Sequence, residues 1–330
     1  MGFAVLIVGT LVFLRFSDLS RVAALLTQAH PGWLLAALVA QIGTYVADAQ
    51  SYSETLRTLR FRRIGWWELM RTSIIMEFLS DVAPSFGMSS NIYLVSLMRG
   101  RGLSLGASAI VLMIQAFTSF VAYALVLLAA AAYLLSTGQE ESLSAKVTVA
   151  FVVLGSVIWA FIFIIFVRES WSKAAATAIG RAGRWLLKRW FPQAAVARFV
   201  SEVEQGRTYA TQNWGRFLSI IAYKESRFLF DAVTAYFLFH SLGYPVAFGV
   251  VLVGFSVAML LSTVSALPGG VGSFEVAMVL VYTTYGVPLE VAGVATLLFR
   301  AITFWLPLPV GLWLLRTVAG RPAVSSSRET

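Results

Sequence analysis

The chain has 330 residues, of which 58% are hydrophobic and only 12% charged, with a mean hydropathy of +0.79. A soluble domain carries about twice that charged fraction, so composition excludes a soluble fold and points to an all-α, polytopic helical membrane protein. Cysteine is absent, which excludes disulfides and thiolate metal sites. The net charge of +9 would suit nucleic acid in a soluble protein. Beside membrane spans it suits the anionic leaflet instead, so membrane lipids are the expected partners and nucleic acid is not.

A crossing helix needs about 20 apolar residues. Residues 2–16 are apolar and have no small-residue cleavage site after them, so they are predicted as a first membrane helix rather than a removable leader. Further spans are predicted over 31–50, 66–82, 105–135, 147–167, 217–239, 244–265 and 290–316. The run 105–135 is overlong and should be tilted or kinked. Two apolar runs, 86–98 and 273–285, are short, and each follows a broken stretch: Pro84-Ser85-Phe86-Gly87 and Pro268–Gly272. A 13-residue helix rises only about 20 Å, but five extended residues add about 16 Å. Helix plus extended segment can therefore cross. Broken backbone at membrane depth is tolerated only where protein buries it or a watery cavity meets it, which makes such a break a candidate site.

Between 168 and 216 nine Lys/Arg stand against three Glu. The positive-inside rule puts this loop in the cytoplasm. Arg57–Arg63, Arg99/Arg101 and the tail with Arg316, Arg321 and Arg328 then share its side if both short segments cross. The expectation is ten crossings in the cytoplasmic membrane with both termini cytoplasmic; only Arg15 and Arg21 fit it poorly. Trp171, Ala175, Ala178, Ile179, Ala182, Trp185 and Leu186 recur at helical spacing, with Lys173, Arg181, Arg184 and Lys188 largely opposite, as in a basic amphipathic helix on the membrane surface.

The two broken segments are related. Pro84 and Pro268 are 184 apart, and so are Gly102 and Gly286. Each half holds an odd number of crossings, about five, so the second copy is expected to be inverted. Two inverted repeats with Pro/Gly-broken short helices are a transporter architecture, with the site near the bilayer midplane. The chain is divided accordingly: residues 1–135 the first membrane repeat, 136–216 a connecting span and basic cytoplasmic segment, 217–316 the core of the second repeat, and 317–330 a cytoplasmic tail.

The stretch Leu267-Pro268-Gly269-Gly270-Val271-Gly272-Ser273-Phe274-Glu275, then Tyr285-Gly286-Val287-Pro288 and Leu297–Pro307 with Arg300 and Trp305, resembles the lysylphosphatidylglycerol synthase transmembrane-region family of flippase-like membrane proteins. The counterpart Pro84–Gly102 also fits. The resemblance implies movement of phospholipids or polyprenyl-linked lipids between leaflets. The sequence ends about fourteen residues past the last predicted span, so any lipid aminoacylation is expected from a separate synthase, and a glycosyltransferase is another candidate partner. Where many members look polar or charged just after the first-half break, this chain has Met88-Ser89-Ser90-Asn91.

The candidate site residues follow from their depth. Arg300 lies near mid-membrane, where a cation costs several kcal/mol unless paired; it is read as a ligand for lipid phosphate or as half of an ion pair with Glu275 or Asp231. Lys224, Arg227 and Asp231 share one helical face. They form either a phosphate-binding cavity with Arg300 or an intrahelical Arg227–Asp231 pair. Gly269, Gly270 and Gly272 offer backbone N–H groups at a helix start, where an anion can bind, and Glu275 competes for that place as a cap, counter-ion or proton-coupling group. Glu77 is placed as a partner for a buried cation. Asn91 is either a headgroup donor or helix–helix glue. Asp48 and Asp81 are read as interfacial carboxylates. His30 and His240 lie at span ends and no nucleophile sits beside a His base, so the chain is not expected to be an enzyme or to need a cofactor. The function expected is flipping of an anionic phospholipid or polyprenyl-linked lipid. The alternatives are a lipid-binding accessory subunit of a lipid-modifying or glycosylation system, and a membrane-embedded lipid transferase.

Overall fold

A computed structural model of the chain describes residues 25–82, 88–137, 214–265 and 268–319, with scattered positions between 146 and 212. The predicted span 2–16, the Pro84–Gly87 break, most of 138–213 with its amphipathic segment, and the tail after Ala319 lie outside the described residues. The described residues form helices and no strands. In the first half these are α1 (Pro31–Thr58), α2 (Trp66–Val82), α3 (Met88–Gly100) and α4 (Leu105–Thr137). The second half has α5 (Trp214–Ser241), α6 (Phe248–Val264), a 3-10 turn at Pro268–Gly270, α7 (Ser273–Thr284) and α8 (Leu289–Arg300). A π-helical turn at Ala301–Trp305 and α9 (Pro307–Ala319) close it.

The two halves repeat the same order and lengths. Helices α1 and α5 both have 28 residues, α2 and α6 both have 17, and α3 and α7 have 13 and 12. The repeat extends to backbone detail. Gly102 and Gly286 take φ of +91° and +80°, the left-handed region that glycine enters without a Cβ clash. Each ends its short helix with the same closing bond: Leu103 N–H donates to Met98 C=O at 3.0 Å, and Val287 N–H to Tyr282 C=O at 3.1 Å. This is the Schellman pattern.

Helices α1 and α5 form the most extensive helix–helix contact among the described residues, and they run antiparallel. His30 N–H donates to Ser241 C=O at one end, and Arg216 Nη1 donates to Arg57 C=O at the other. Small residues on the facing stripe, Ala37 and Ala40 of α1 with Ala232 and Ala235 of α5, let the backbones approach. One apolar core joins α4 to α8, with Phe239, Phe255, Tyr282 and Phe299 at its centre. A second core joins the C-terminal half of α1 to α2 and α3 through Leu56, Leu69, Leu94 and Met98. Leu35, Val39 and Ile42 of α1, Leu128 and Leu135 of α4 and Trp313 of α9 remain exposed. In a membrane this apolar exterior faces acyl chains.

Helices α1, α4 and the segment Leu289–Val318 are long and apolar enough to cross a membrane. The last differs from the single helix expected over 290–316, because it breaks after Arg300. Pro307 has no N–H to donate and its ring excludes the preceding turn's carbonyl. The ladder shifts instead: Leu306 N–H donates to Ala301 C=O, five residues back, at 2.9 Å. Such π turns occur mostly inside α-helices and are frequent at functional sites.

Gly254 of α6 lies against the fully buried Tyr282, and a Cβ there would strike the ring. Gly254→Val should therefore lower stability by about 1–3 kcal/mol through overpacking, read as a reduced Tm of the detergent-solubilised protein, whereas Gly65→Ala, with open space around it, should leave Tm unchanged.

Candidate functional site

Helix α1 carries Gln41, Thr44, Tyr45 and Asp48 at spacings of 3, 4 and 7, one helical face. Helix α5 presents Lys224, Arg227 and Asp231 to that face. The midpoints of the two 28-residue helices fall at Thr44–Tyr45 and Arg227–Phe228, so these polar groups lie at the middle of the pair. Lys224 Nζ donates to Asp48 Oδ1 at 2.6 Å and stands 5.0 Å from the centre of the Tyr52 ring. Arg227 reaches off its own helix. Its Nη2 donates to both carboxylate oxygens of Glu77 on α2, at 3.1 and 3.0 Å, and its Nε lies 3.5 Å from Asp48 Oδ2. Asp231 accepts a hydrogen bond from Thr44 Oγ1 at 3.1 Å.

Two expectations are corrected here. Asp48 is not an interfacial carboxylate: α1 continues ten residues past it to Thr58, which places it in the interior. The intrahelical Arg227–Asp231 pair does not form, because carboxylates on α1 and α2 offer Arg227 partners across the helix interface. Glu77 lies beside this cation.

Arg300, at the end of α8, is buried, with 7% of its surface accessible. Its Nε donates to Glu275 Oε1 at 2.6 Å and its Nη2 to Gly269 C=O at 2.8 Å. The guanidinium also packs over the rings of Phe304 and Phe274, at 4.3 and 5.2 Å. Of the two partners expected for Arg300, the structure has Glu275 and not Asp231. The second Glu275 oxygen accepts the Gly272 N–H at 2.6 Å, so this carboxylate caps α7 and neutralises Arg300 together. The glycines are required by geometry. Gly269, Gly270 and Gly272 have φ of +57°, +62° and +89°, and a Cβ would strike Phe304 at Gly269 and Ser262 at Gly270.

Helix α2 links the two centres. It contacts the 3-10 turn at Pro268–Gly270, and its Asp81, one turn beyond Glu77, lies within electrostatic range of Glu77, Arg227 and Arg300. The structure thus joins Arg300, Arg227, Lys224, Glu275, Asp231 and Glu77 into one buried region, with Asp48 and Asp81 as members that sequence reasoning assigned to the interfaces. Asn91 stands on an exposed face of α3 and contacts none of them among the described residues. Asp48 was detectable as the repeat mate of Asp231, 183 residues earlier.

Two clefts open at the end of the bundle formed by the α1–α2 connection. One, of about 550 Å³, is lined by Arg57, Arg62 and Arg216 with Glu54, Phe61 and Trp66. The other, of about 610 Å³, is lined by Arg71 and Arg101 with Glu68, Trp67 and Tyr93. Ser53, in the first cleft, is five residues from Asp48, about 7.5 Å along the helix axis.

Against this geometry stand the relatives of the chain. Residues 1–311 match the family described as the lysylphosphatidylglycerol synthase TM region. Shorter stretches match UPF0104 membrane proteins: one of Methanothermobacter thermautotrophicus, 37% identical over 83 residues, and MJ1595 of Methanocaldococcus jannaschii, 32% identical over 95. PH1989 of Pyrococcus horikoshii is 35% identical over 81 residues. These matches cover 25%, 29% and 24% of this chain and 25%, 27% and 24% of the relatives, so they span about a quarter of each curated protein. With the family match running through nearly every described helix and both charged centres, the chain belongs to the lysylphosphatidylglycerol synthase transmembrane-region family of membrane proteins.

Proposed function

We propose that this protein takes the headgroup of an anionic phospholipid or polyprenyl-linked lipid into its interior and passes it between leaflets of the cytoplasmic membrane. The carrying observation is that Arg227 and Arg300, both from the second half of the chain, are each held in the membrane interior by a carboxylate that remains partly accessible, one from each half: 32% of the Glu77 side chain and 17% of Glu275. A buried ion pair adds little stability over apolar packing of the same volume, so stability does not account for both. A headgroup phosphate offers the oxygens that the carboxylates offer now and can replace them on each guanidinium.

The other parts fit this exchange. The arginine-lined clefts would collect anionic headgroups at the membrane surface, with α1 and α5 leading from them to Asp48 and Arg227. Acyl chains would stay in lipid along the apolar exterior. The antiparallel pairing of the equivalent helices α1 and α5 supports the inverted relation of the two halves, and rocking of one half against the other would turn the interior from one leaflet to the other. The broken backbone at Pro268–Gly272 and the π turn after Arg300 would be the points that give way. Both termini are cytoplasmic in this reading, as the positive-inside rule requires of the cleft arginines.

Proteoliposomes should exchange fluorescently labelled phosphatidylglycerol between leaflets, and Arg227→Ala or Arg300→Ala should slow exchange about tenfold or more, the worth of a charged hydrogen bond. Single neutralisation leaves a carboxylate unpaired and threatens folding. The paired variants Arg227→Met with Glu77→Met, and Arg300→Met with Glu275→Met, remove both charges together and should lose exchange; the first should keep a wild-type Tm, and the second, which also frees the Gly269 C=O and the Gly272 N–H, should keep its fold at a lower Tm. Wild-type exchange rates in both paired variants would sink the proposal. Lipid retained without exchange would indicate a binding subunit, and covalently altered lipid a transferase.

The cleft arginines face water and are screened by salt. Exchange of an anionic lipid should therefore slow as ionic strength rises. In Arg57→Ala with Arg62→Ala it should start lower and depend less on salt, while exchange of a zwitterionic lipid should not change with salt in either protein.

A further inference from the structure

The repeat sets two carboxylates in equivalent places and gives them unlike surroundings. Asp48 of α1 and Asp231 of α5 are 183 apart, as are Thr44 and Arg227, and Gln41 and Lys224. Because α1 and α5 pair antiparallel, each carboxylate faces the mates of the residues that face the other. Asp48 meets Lys224 at 2.6 Å and Arg227 at 3.5 Å. Asp231 meets Thr44 at 3.1 Å and stands level with Gln41. One twin is held by two cations, the other by a hydroxyl, and Asp231 makes no ion pair among the described residues.

Polar atoms beside Asp231 carry the same imbalance. Gln41 and Tyr45 are 6% and 9% accessible, on the face of α1 that Thr44 turns to Asp231. The Tyr45 hydroxyl lies beside the Gln41 side chain and within electrostatic range of Glu77, Asp231 and Arg227. Neither Gln41 Oε1 nor Tyr45 Oη has a partner in hydrogen-bonding geometry, although such buried atoms are nearly always satisfied. The charged groups within electrostatic range of this place are Asp48 from α1, Glu77 from α2 and Arg227 from α5; Lys224, bound to Asp48, and Asp81, Arg300 and Glu275 complete the charged region around it. Glu225 lies on another face of α5. Three cations therefore stand against five carboxylates, a formal charge of −2 inside the membrane. An anionic headgroup would add to that deficit, and uncompensated charge at this depth is prohibitive.

We infer that Asp231, with Thr44, Gln41 and Tyr45, forms a binding site for one proton or one small monovalent cation, and that this charge enters together with the anionic headgroup. All four supply oxygen. That suits a hard cation, and a carboxylic acid O–H at Asp231 would equally suit the Gln41 oxygen as acceptor. The site rests on the twin geometry alone, whereas its coupling to lipid rests on the translocation reading. By linkage the headgroup binds more tightly as the cation concentration rises, about tenfold per pH unit lowered or per decade of Na⁺ raised while that ion is being taken up.

Two variants test the site apart from transport. Asp231→Asn removes the carboxylate without changing its shape, and Gln41→Lys installs beside Asp231 the cation that Lys224 gives its twin. Thermal unfolding of the purified protein is followed across pH at fixed Na⁺, and across Na⁺ at fixed pH and ionic strength. A wild-type Tm that rises as pH falls, relative to both variants, assigns a proton; one that rises with Na⁺, relative to both, assigns Na⁺. Identical dependence in all three proteins overturns the site. In proteoliposomes, wild-type lipid exchange should then follow the gradient of that ion, and Gln41→Lys should be indifferent to it. Exchange indifferent to both gradients in the wild type, with the Tm effect present, overturns the coupling and leaves the site. Absent exchange under every gradient defeats the translocation reading instead.

Discussion

Lipid does not solvate an ionised side chain, so each charge inside this bundle must be answered by protein or by what protein binds. The antiparallel α1–α5 pair is where that constraint is met. Its small residues bring two helices close along their full length, and its centre holds Asp48, Lys224, Arg227 and Asp231 at the helix midpoints. Helix α2 must then pack where Glu77 can receive Arg227. The apolar clusters fill the space around this polar seam, and the exterior is left to the acyl chains.

The second charged centre is built by a different device. At Pro268–Gly272 the backbone turns through three left-handed glycines, which frees one carbonyl and one N–H at membrane depth. Arg300 takes the Gly269 carbonyl and Glu275 takes the Gly272 N–H, while the two side chains bind one another. The break is thus satisfied by the same ion pair that a phosphate would have to open. The π turn after Arg300 sets that guanidinium between Phe274 and Phe304. Two interruptions of helix therefore meet at one arginine.

The two halves share a frame and yet differ in charge. The glycine that closes each short helix and the lengths of the paired helices are the same in both copies, because they define the scaffold. Residues at the centre have diverged: where α5 has Lys224 and Arg227, α1 has Gln41 and Thr44. An antiparallel pair of identical faces would give two equal ion-pair sets. The unlike faces leave one carboxylate paired with cations and one answered by a hydroxyl.

Much of this was legible in the residue order. Apolar run length determined the helices, the 184-residue spacing of Pro84/Pro268 and Gly102/Gly286 determined the repeat, and the scarcity of charge in these runs singled out Arg227, Arg300, Glu275 and Glu77. Local rules suffice there, because lipid enforces helix and penalises charge wherever the chain runs. Partner choice was not legible. Arg227 passes over Asp231 on its own helix for Glu77 and Asp48, Asp48 belongs to the interior because α1 runs on to Thr58, and Asn91 faces outward, away from the charges. Those outcomes depend on which helix faces are pressed together. A linear sequence holds every side chain that could pair, but only the packed bundle decides which of them come within 3 Å.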